Sequence, residues 1–295
     1  MNENKSIKQL NARTGGFYFA FTIALYVLIS FIGQMVMGAV SEKGSTVYIA
    51  VCSTFSAICF IIVIVYALFG EKICYKNLTG ESNGLKFILP ALLLSCGMFL
   101  AFGYVNTVIA NIFKGWGLKV SELSIPLSNP WHLVVFSITL AVLPAIAEEL
   151  FFRGIILNSL SGVKRIYAVL ISALCFALYH CSVAQLVYQF IYGVALGLLF
   201  ISAKSILPCI IAHFVNNFAL LCMQYFNVNV DMFNFKLIII GATCLAIFST
   251  VVFFVCKNKK EEVKEKSGEV TKFFFPYALF AIIVCIALSV SSLVD

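Results

Sequence analysis

The chain has 295 residues, of which 62% are hydrophobic and only 11% charged, with a mean hydropathy of +1.02. Soluble domains carry roughly 25% charged residues, so these values exclude a soluble globular protein and indicate a polytopic membrane protein. The formal charge of +7 is therefore read first for orientation in a bilayer, before any nucleic-acid partner is considered.

Apolar stretches long enough to span, at ~17–25 residues each, run over about 16–40, 47–70, 87–113, 131–157, 184–203, 206–227, 236–256 and 273–294. A shorter one at 166–181 follows Lys164 and Arg165. The expected fold is all-α, a bundle of eight or nine transmembrane helices. It is organised as N-terminal scaffold helices (1–130), a polar core (131–227) and C-terminal helices joined by a charged loop (228–295). The first stretch is too long for a cleaved signal and lacks a small-residue cleavage site, so it is read as a retained helix.

With the N-terminus in the cytoplasm, only Lys43, Lys114, Lys119 and Lys236 fall outside and Arg153 falls within a span, leaving the other fifteen of the twenty Lys and Arg inside. That bias satisfies the positive-inside rule and accounts for the net charge without a nucleic-acid partner. With nine crossings the C-terminus lies outside. Short loops and the lack of a soluble domain suit a bacterial cell-membrane protein. The eleven cysteines are odd in number, include no CxxC pair and sit mostly in apolar spans, where they act as small hydrophobes.

The fourth stretch is unusual. It contains Leu143-Pro-Ala-Ile-Ala-Glu148-Glu149-Leu-Phe-Phe-Arg153, with three ionisable side chains at membrane depth. Each costs roughly 2.5–3.5 kcal/mol at a helix centre even on insertion scales. Glu148 lies about nine residues from the cytoplasmic end of its helix, or ~13 Å, too deep for a short carboxylate to reach water along the helix. Helical spacing puts Glu149 and Arg153 on one face, four residues apart, and turns Glu148 about 100° away. One carboxylate is thus paired and the other freer, and a freer carboxylate in a low-dielectric cavity has the character of a general base.

Two later stretches carry the other polar groups. Phe176-Ala-Leu-Tyr-His180 places Phe176 and His180 on one helix face, and His213-Phe-Val-Asn-Asn217 does the same for His213 and Asn217. Pro144 and Pro208, a few residues before Glu148 and His213, are expected to kink their helices and open polar space. No matched pair of broken helices, of the kind that marks many transporters, is present.

In this order, Glu-Glu-x-x-x-Arg, Phe-x-x-x-His and His-x-x-x-Asn resemble the motifs of the CAAX protease and bacteriocin-processing family (CPBP, or Abi), intramembrane proteases that include the type II CAAX prenyl endopeptidases. The resemblance covers about residues 131–227. It implies an endopeptidase acting on a peptide or protein tail delivered at the membrane, with Glu148 and His180 activating water and His213 and Asn217 holding the oxyanion. Glu149 and Arg153 would fix the geometry. Glu148, His180 and His213 would also suit an open zinc site, and a metal-free activation of water needs the same residues. Convergence of these groups requires the 166–181 helix to be tilted, to begin earlier or to be unwound at its far end. The cavity is expected to open to the cytoplasm or the adjacent lipid. Substrates of either kind fit, a CAAX-type tail or a peptide pheromone or bacteriocin. A proton-coupled transporter and a non-catalytic immunity or partner-binding protein are the alternatives.

Overall fold

The computed structural model describes residues 10–120, 125–228, 234–257 and 270–293. Among them are eight helices long and apolar enough to cross a membrane and one shorter apolar helix. In chain order they are α1 (Ala12–Val40), α2 (Thr46–Gly70), α3 (Leu85–Gly115), α4 (Pro130–Leu157), α5 (Arg165–Tyr179), α6 (Leu186–Ala203), α7 (Leu207–Tyr225), α8 (Phe235–Cys256) and α9 (Lys272–Ser291). Much of the charged loop expected after Lys257 lies outside the described residues.

The helix starts follow local chemistry. Asn11 and Thr14 form a reciprocal capping box at the head of α1. Asn129 caps α4 by accepting from the His132 N–H at 3.0 Å, with Pro130 behind it where a missing N–H costs nothing. Pro208 likewise sits in the first turn of α7. It starts that helix and does not kink it, which corrects the expectation from sequence. Pro144 is inside α4, directly after a wide π-helical stretch, Ser137–Val142, and a second such stretch, Leu150–Leu157, follows Glu149. Such i→i+5 turns are rare and concentrate at functional sites.

Two sets of contacts define the faces of the bundle. On one face, Gly80 and Ser205 form an antiparallel bridge, the Glu81 and Ser82 amides both donate to the Lys204 carbonyl at 3.0 Å, and Asn158 donates to the Asn77 carbonyl. On the other, Thr46 meets His132 Nε2 at 3.3 Å, Gln224 donates to the Ile125 carbonyl at 3.0 Å, and the Lys119 amide donates to the Leu293 carbonyl at 3.1 Å. The last contact places the end of α9 opposite the loop between α2 and α3, as an odd number of crossings requires. In the packing, α1 lies on α9 and on α2, and α3 lies on α8. The helices before 130 and after 228 thus pack on each other around α4–α7.

One pair is short. At 1.5 Å per residue, α5 rises only about 22 Å, less than the ~30 Å hydrocarbon core. It ends at Tyr179, and residues 180–185 form a non-helical apex before α6 starts, with Cys181 in the left-handed region (φ 47°). The hairpin of α5 and α6 therefore turns back before the far face. Gly193 lets its two arms approach, since a Cβ there would stand 3.1 Å from Ala173 Cα and 3.2 Å from the Phe176 ring.

Candidate active site

The shortness of α5 brings the polar groups together. His180 is at its end, on the apex, and joins Glu148 of α4 and His213 and Asn217 of α7 in the wall of one cavity of about 590 Å³. Convergence needs no unwinding within the helix, because the helix stops there.

Glu149 and Arg153 are the most buried members, at 0% and 1% exposure. Arg153 NH1 donates to Glu149 Oε1 at 2.7 Å, the i,i+4 pairing that spacing implies. Its NH2 donates to the Gly193 carbonyl at 3.2 Å, and the guanidinium lies 4.6 Å from the centre of the Phe176 ring. Neither residue lines the cavity. The same Glu149 oxygen also accepts from His213 Nδ1 at 2.8 Å. The arginine thus neutralises the carboxylate that orients the histidine.

With Nδ1–H committed to Glu149, a neutral His213 presents its lone pair at Nε2. That nitrogen is 4.0 Å from Glu148 Oε2, an oxygen with no hydrogen-bond partner among the described residues. His180 is held in the same sense: Nδ1–H donates to the Phe176 carbonyl at 2.8 Å, leaving Nε2 as the acceptor. Two imidazoles with anchored Nδ1 and a carboxylate with an unpaired oxygen therefore border one space. Asn217 also borders it, but its Nδ2 donates to the Leu140 carbonyl at 3.2 Å, leaving one amide N–H for a ligand.

Anchored Nδ1 atoms are the usual outer support of metal-binding histidines, so the donor chemistry of Glu148, His180 and His213 is compatible with zinc. Their spacing is not. Among the described residues no three His, Cys, Asp or Glu side chains are grouped closely enough to hold a metal ion. The 4.0 Å between His213 Nε2 and Glu148 Oε2 exceeds the roughly 3.3 Å edge of a tetrahedron with ~2.0–2.1 Å bonds.

Several supports are not evident from the motifs. Tyr188 donates to Asn216 Oδ1 at 2.7 Å, and Ser95 of α3 donates to the Ala212 carbonyl at 2.8 Å, both steadying α7 beside His213. The Phe152 ring meets Phe176 edge-on at 5.2 Å. Tyr26 and Gln34 of α1 and Tyr48, Cys52 and Ser53 of α2 line the cavity as well. The N-terminal helices, read from sequence as scaffold, thus supply walls. A tyrosine at helical spacing and a lone serine carry no signal by which these roles would be found.

The fold and the site define an all-α polytopic membrane protein with an acid–base cluster buried among its central helices. Residues 130–219, which hold every one of these groups, match the family model described as Type II CAAX prenyl endopeptidase Rce1-like. That match supports the resemblance of the three motifs to the CAAX protease (CPBP) family, over this central part of the chain. No curated protein and no solved structure matches the chain.

Proposed function

We propose that this protein is an intramembrane endopeptidase that hydrolyses a peptide bond in a polypeptide delivered at the membrane, using Glu148 as the base that activates water. One observation carries the reading. Of two adjacent buried carboxylates, each with an unpartnered Oε2, Glu149 is tied through Oε1 to both Arg153 and His213 and stands off the cavity, whereas Glu148 lines the cavity between two oriented imidazoles.

In the proposed reaction, water sits between Glu148 and His180 Nε2, both acceptors. Its oxygen attacks the scissile carbonyl carbon as a proton passes to Glu148. The oxyanion is met by the free N–H of Asn217 and by His213, which can donate from Nε2 only as an imidazolium. The Glu149 carboxylate on Nδ1 stands where it would counter that charge, as an orienting carboxylate does in hydrolytic triads. The carbon–nitrogen bond then breaks, and the proton held by Glu148 goes to the leaving amine. Arg153 and Glu149 position the cluster and touch no reacting atom. The match of residues 130–219 to the Rce1-like CAAX endopeptidase model supports protease chemistry. The tail of a membrane-anchored protein and a short secreted peptide are both suitable substrates.

The test is cleavage by the purified protein in detergent. Fluorogenic peptides should be cut, and products formed in ¹⁸O-water should carry one ¹⁸O in the new carboxylate. Absence of cleavage across a broad peptide library, together with proton-driven uptake in vesicles, would replace this reading with transport.

A further inference from the structure

The cavity has a direction. Its floor is Glu148, His180 and His213. Halfway up are Asn217 and Leu140, which touch each other, and at the mouth stand Gln224 and Ile125, which also touch. From His213 to Gln224 along α7 is eleven residues, or about 16 Å at 1.5 Å per residue. The opening exists because the α5–α6 hairpin stops short of that face, leaving the space beyond its apex unfilled. None of the described lining residues comes from the opposite face, with its loops 71–84, 158–164 and 204–206. That end is closed by the Gly80–Ser205 bridge and by Leu78, which packs so tightly under Gly154 that a Cβ there would meet its carbonyl oxygen at 2.9 Å.

The closed face carries Lys72, Lys76, Lys86, Lys164, Arg165 and Lys204, while the open face carries Lys43, Lys114, Lys119 and Lys236. Arg13, at the head of α1, also belongs to the closed face, because its neighbour Leu10 lines a surface pocket with Lys76 and Lys204. Basic residues mark the cytoplasmic side. The opening is therefore on the side away from the cytoplasm, where the sequence suggested the cytoplasm or the adjacent lipid. Among the described residues the wall holds no lysine, arginine or aspartate, and Glu148 is the only carboxylate in it. Gln34, Gln185, Gln189, Gln224 and Ser53 provide groups that both donate and accept hydrogen bonds. They suit the alternating N–H and C=O of an extended peptide and offer no counter-ion to a charged side chain.

We infer that Glu148 is reached from the extracytoplasmic face by an extended, uncharged segment of a polypeptide presented there. At ~3.3 Å per residue, about five residues bridge mouth and floor. The inference rests on the protease reading for the nature of the ligand, but not for the side of access.

Two native cysteines separate the two. Cys52 lines the cavity and Cys74 lies in a loop of the closed face, and each is partly accessible. Intact cells exposed to a small membrane-impermeant methanethiosulfonate and analysed by peptide mass spectrometry should show Cys52 modified at least tenfold faster than Cys74, with the ratio reversed in inside-out vesicles. Faster labelling of Cys74 in intact cells overturns the inference whatever the enzymatic result. The second arm uses sealed proteoliposomes sorted by an N-terminal tag and given impermeant fluorogenic decapeptides of Ala, Ser, Asn, Gln and Tyr. Vesicles with the tag inside should cleave them, and placing Lys or Asp at the central positions should reduce cleavage at least tenfold. Cleavage only by vesicles with the tag outside overturns the side of access. Lack of cleavage even after detergent overturns the protease reading, and the substrate class with it.

Discussion

Arg153→Met isolates the contribution of the buried ion pair. Arg153 and Glu149 are 2.7 Å apart and essentially inaccessible to solvent. Removing one partner of such a pair typically costs about 3–5 kcal/mol, because the other charge stays buried without compensation. Here His213 still donates to the same Glu149 oxygen, which favours the lower end. The Gly193 carbonyl, inside α6, also loses its side-chain donor, and a hydrogen bond of this kind is worth about 1 kcal/mol. A loss of about 4 kcal/mol lowers the unfolding midpoint by on the order of 10 °C, at ~2–4 °C per kcal/mol. The assay is fluorescence-detected thermal unfolding in detergent, run as a cycle with Glu149→Gln and the double variant. Removing both charges is often close to neutral, so the double variant should recover more than half of the loss. A single Arg153→Met variant unfolding at the wild-type temperature, or a double variant no better than the sum of the singles, would refute the reasoning.

Three other outcomes follow from the geometry. Glu149→Gln keeps the shape at His213 but not the carboxylate, and should lower kcat by about 10²-fold or more through loss of the charge that supports an imidazolium, with KM little changed; a KM effect alone would contradict that role. Gly193→Val pushes α6 off Ala173 and the Phe176 ring and should cost about 1–3 kcal/mol as overpacking, seen as a lowered unfolding midpoint, whereas Gly115→Val, with nothing within 4 Å, should not. Since the donors are not spaced for zinc, extensive chelation in detergent should leave cleavage at full rate. One equivalent of zinc, lost in His180→Ala and His213→Ala together with activity, would mean that the side chains close on a metal.

The helices were legible from sequence because hydropathy over twenty residues is a strong local signal, and the apolar stretches match the described helices to within a few residues at each end. The Glu149–Arg153 pair was legible for a similar reason, as four residues apart on a helix means one face. What escaped were relations between distant segments. The bond from Glu149 to His213 spans 64 positions and that from Tyr188 to Asn216 spans 28, and no single-sequence pattern encodes either. Asn217 shares a face with His213 and keeps one N–H for the oxyanion; that its other N–H is spent on Leu140 depends on where α4 passes α7. The opening of the cavity beyond the α5–α6 apex depends on α5 ending at Tyr179. In the sequence the apolar character continues past that point into Cys181 and Val183, so composition hides the stop. Pro208 misled for a related reason, since a proline signals a kink or a start depending on where the helix begins.

The central claim is that Glu148 is the base, and the most direct measurement is the single-turnover rate of peptide cleavage by Glu148→Gln beside its unfolding midpoint. Glutamine keeps the size of the side chain and cannot take the proton from water. Its carboxylate predecessor makes no hydrogen bond through Oε2, so little stability is at stake. The account predicts a rate lower by about 10²–10⁴-fold with the midpoint unchanged or slightly raised. Cleavage at the wild-type rate by a fully folded Glu148→Gln protein would contradict it.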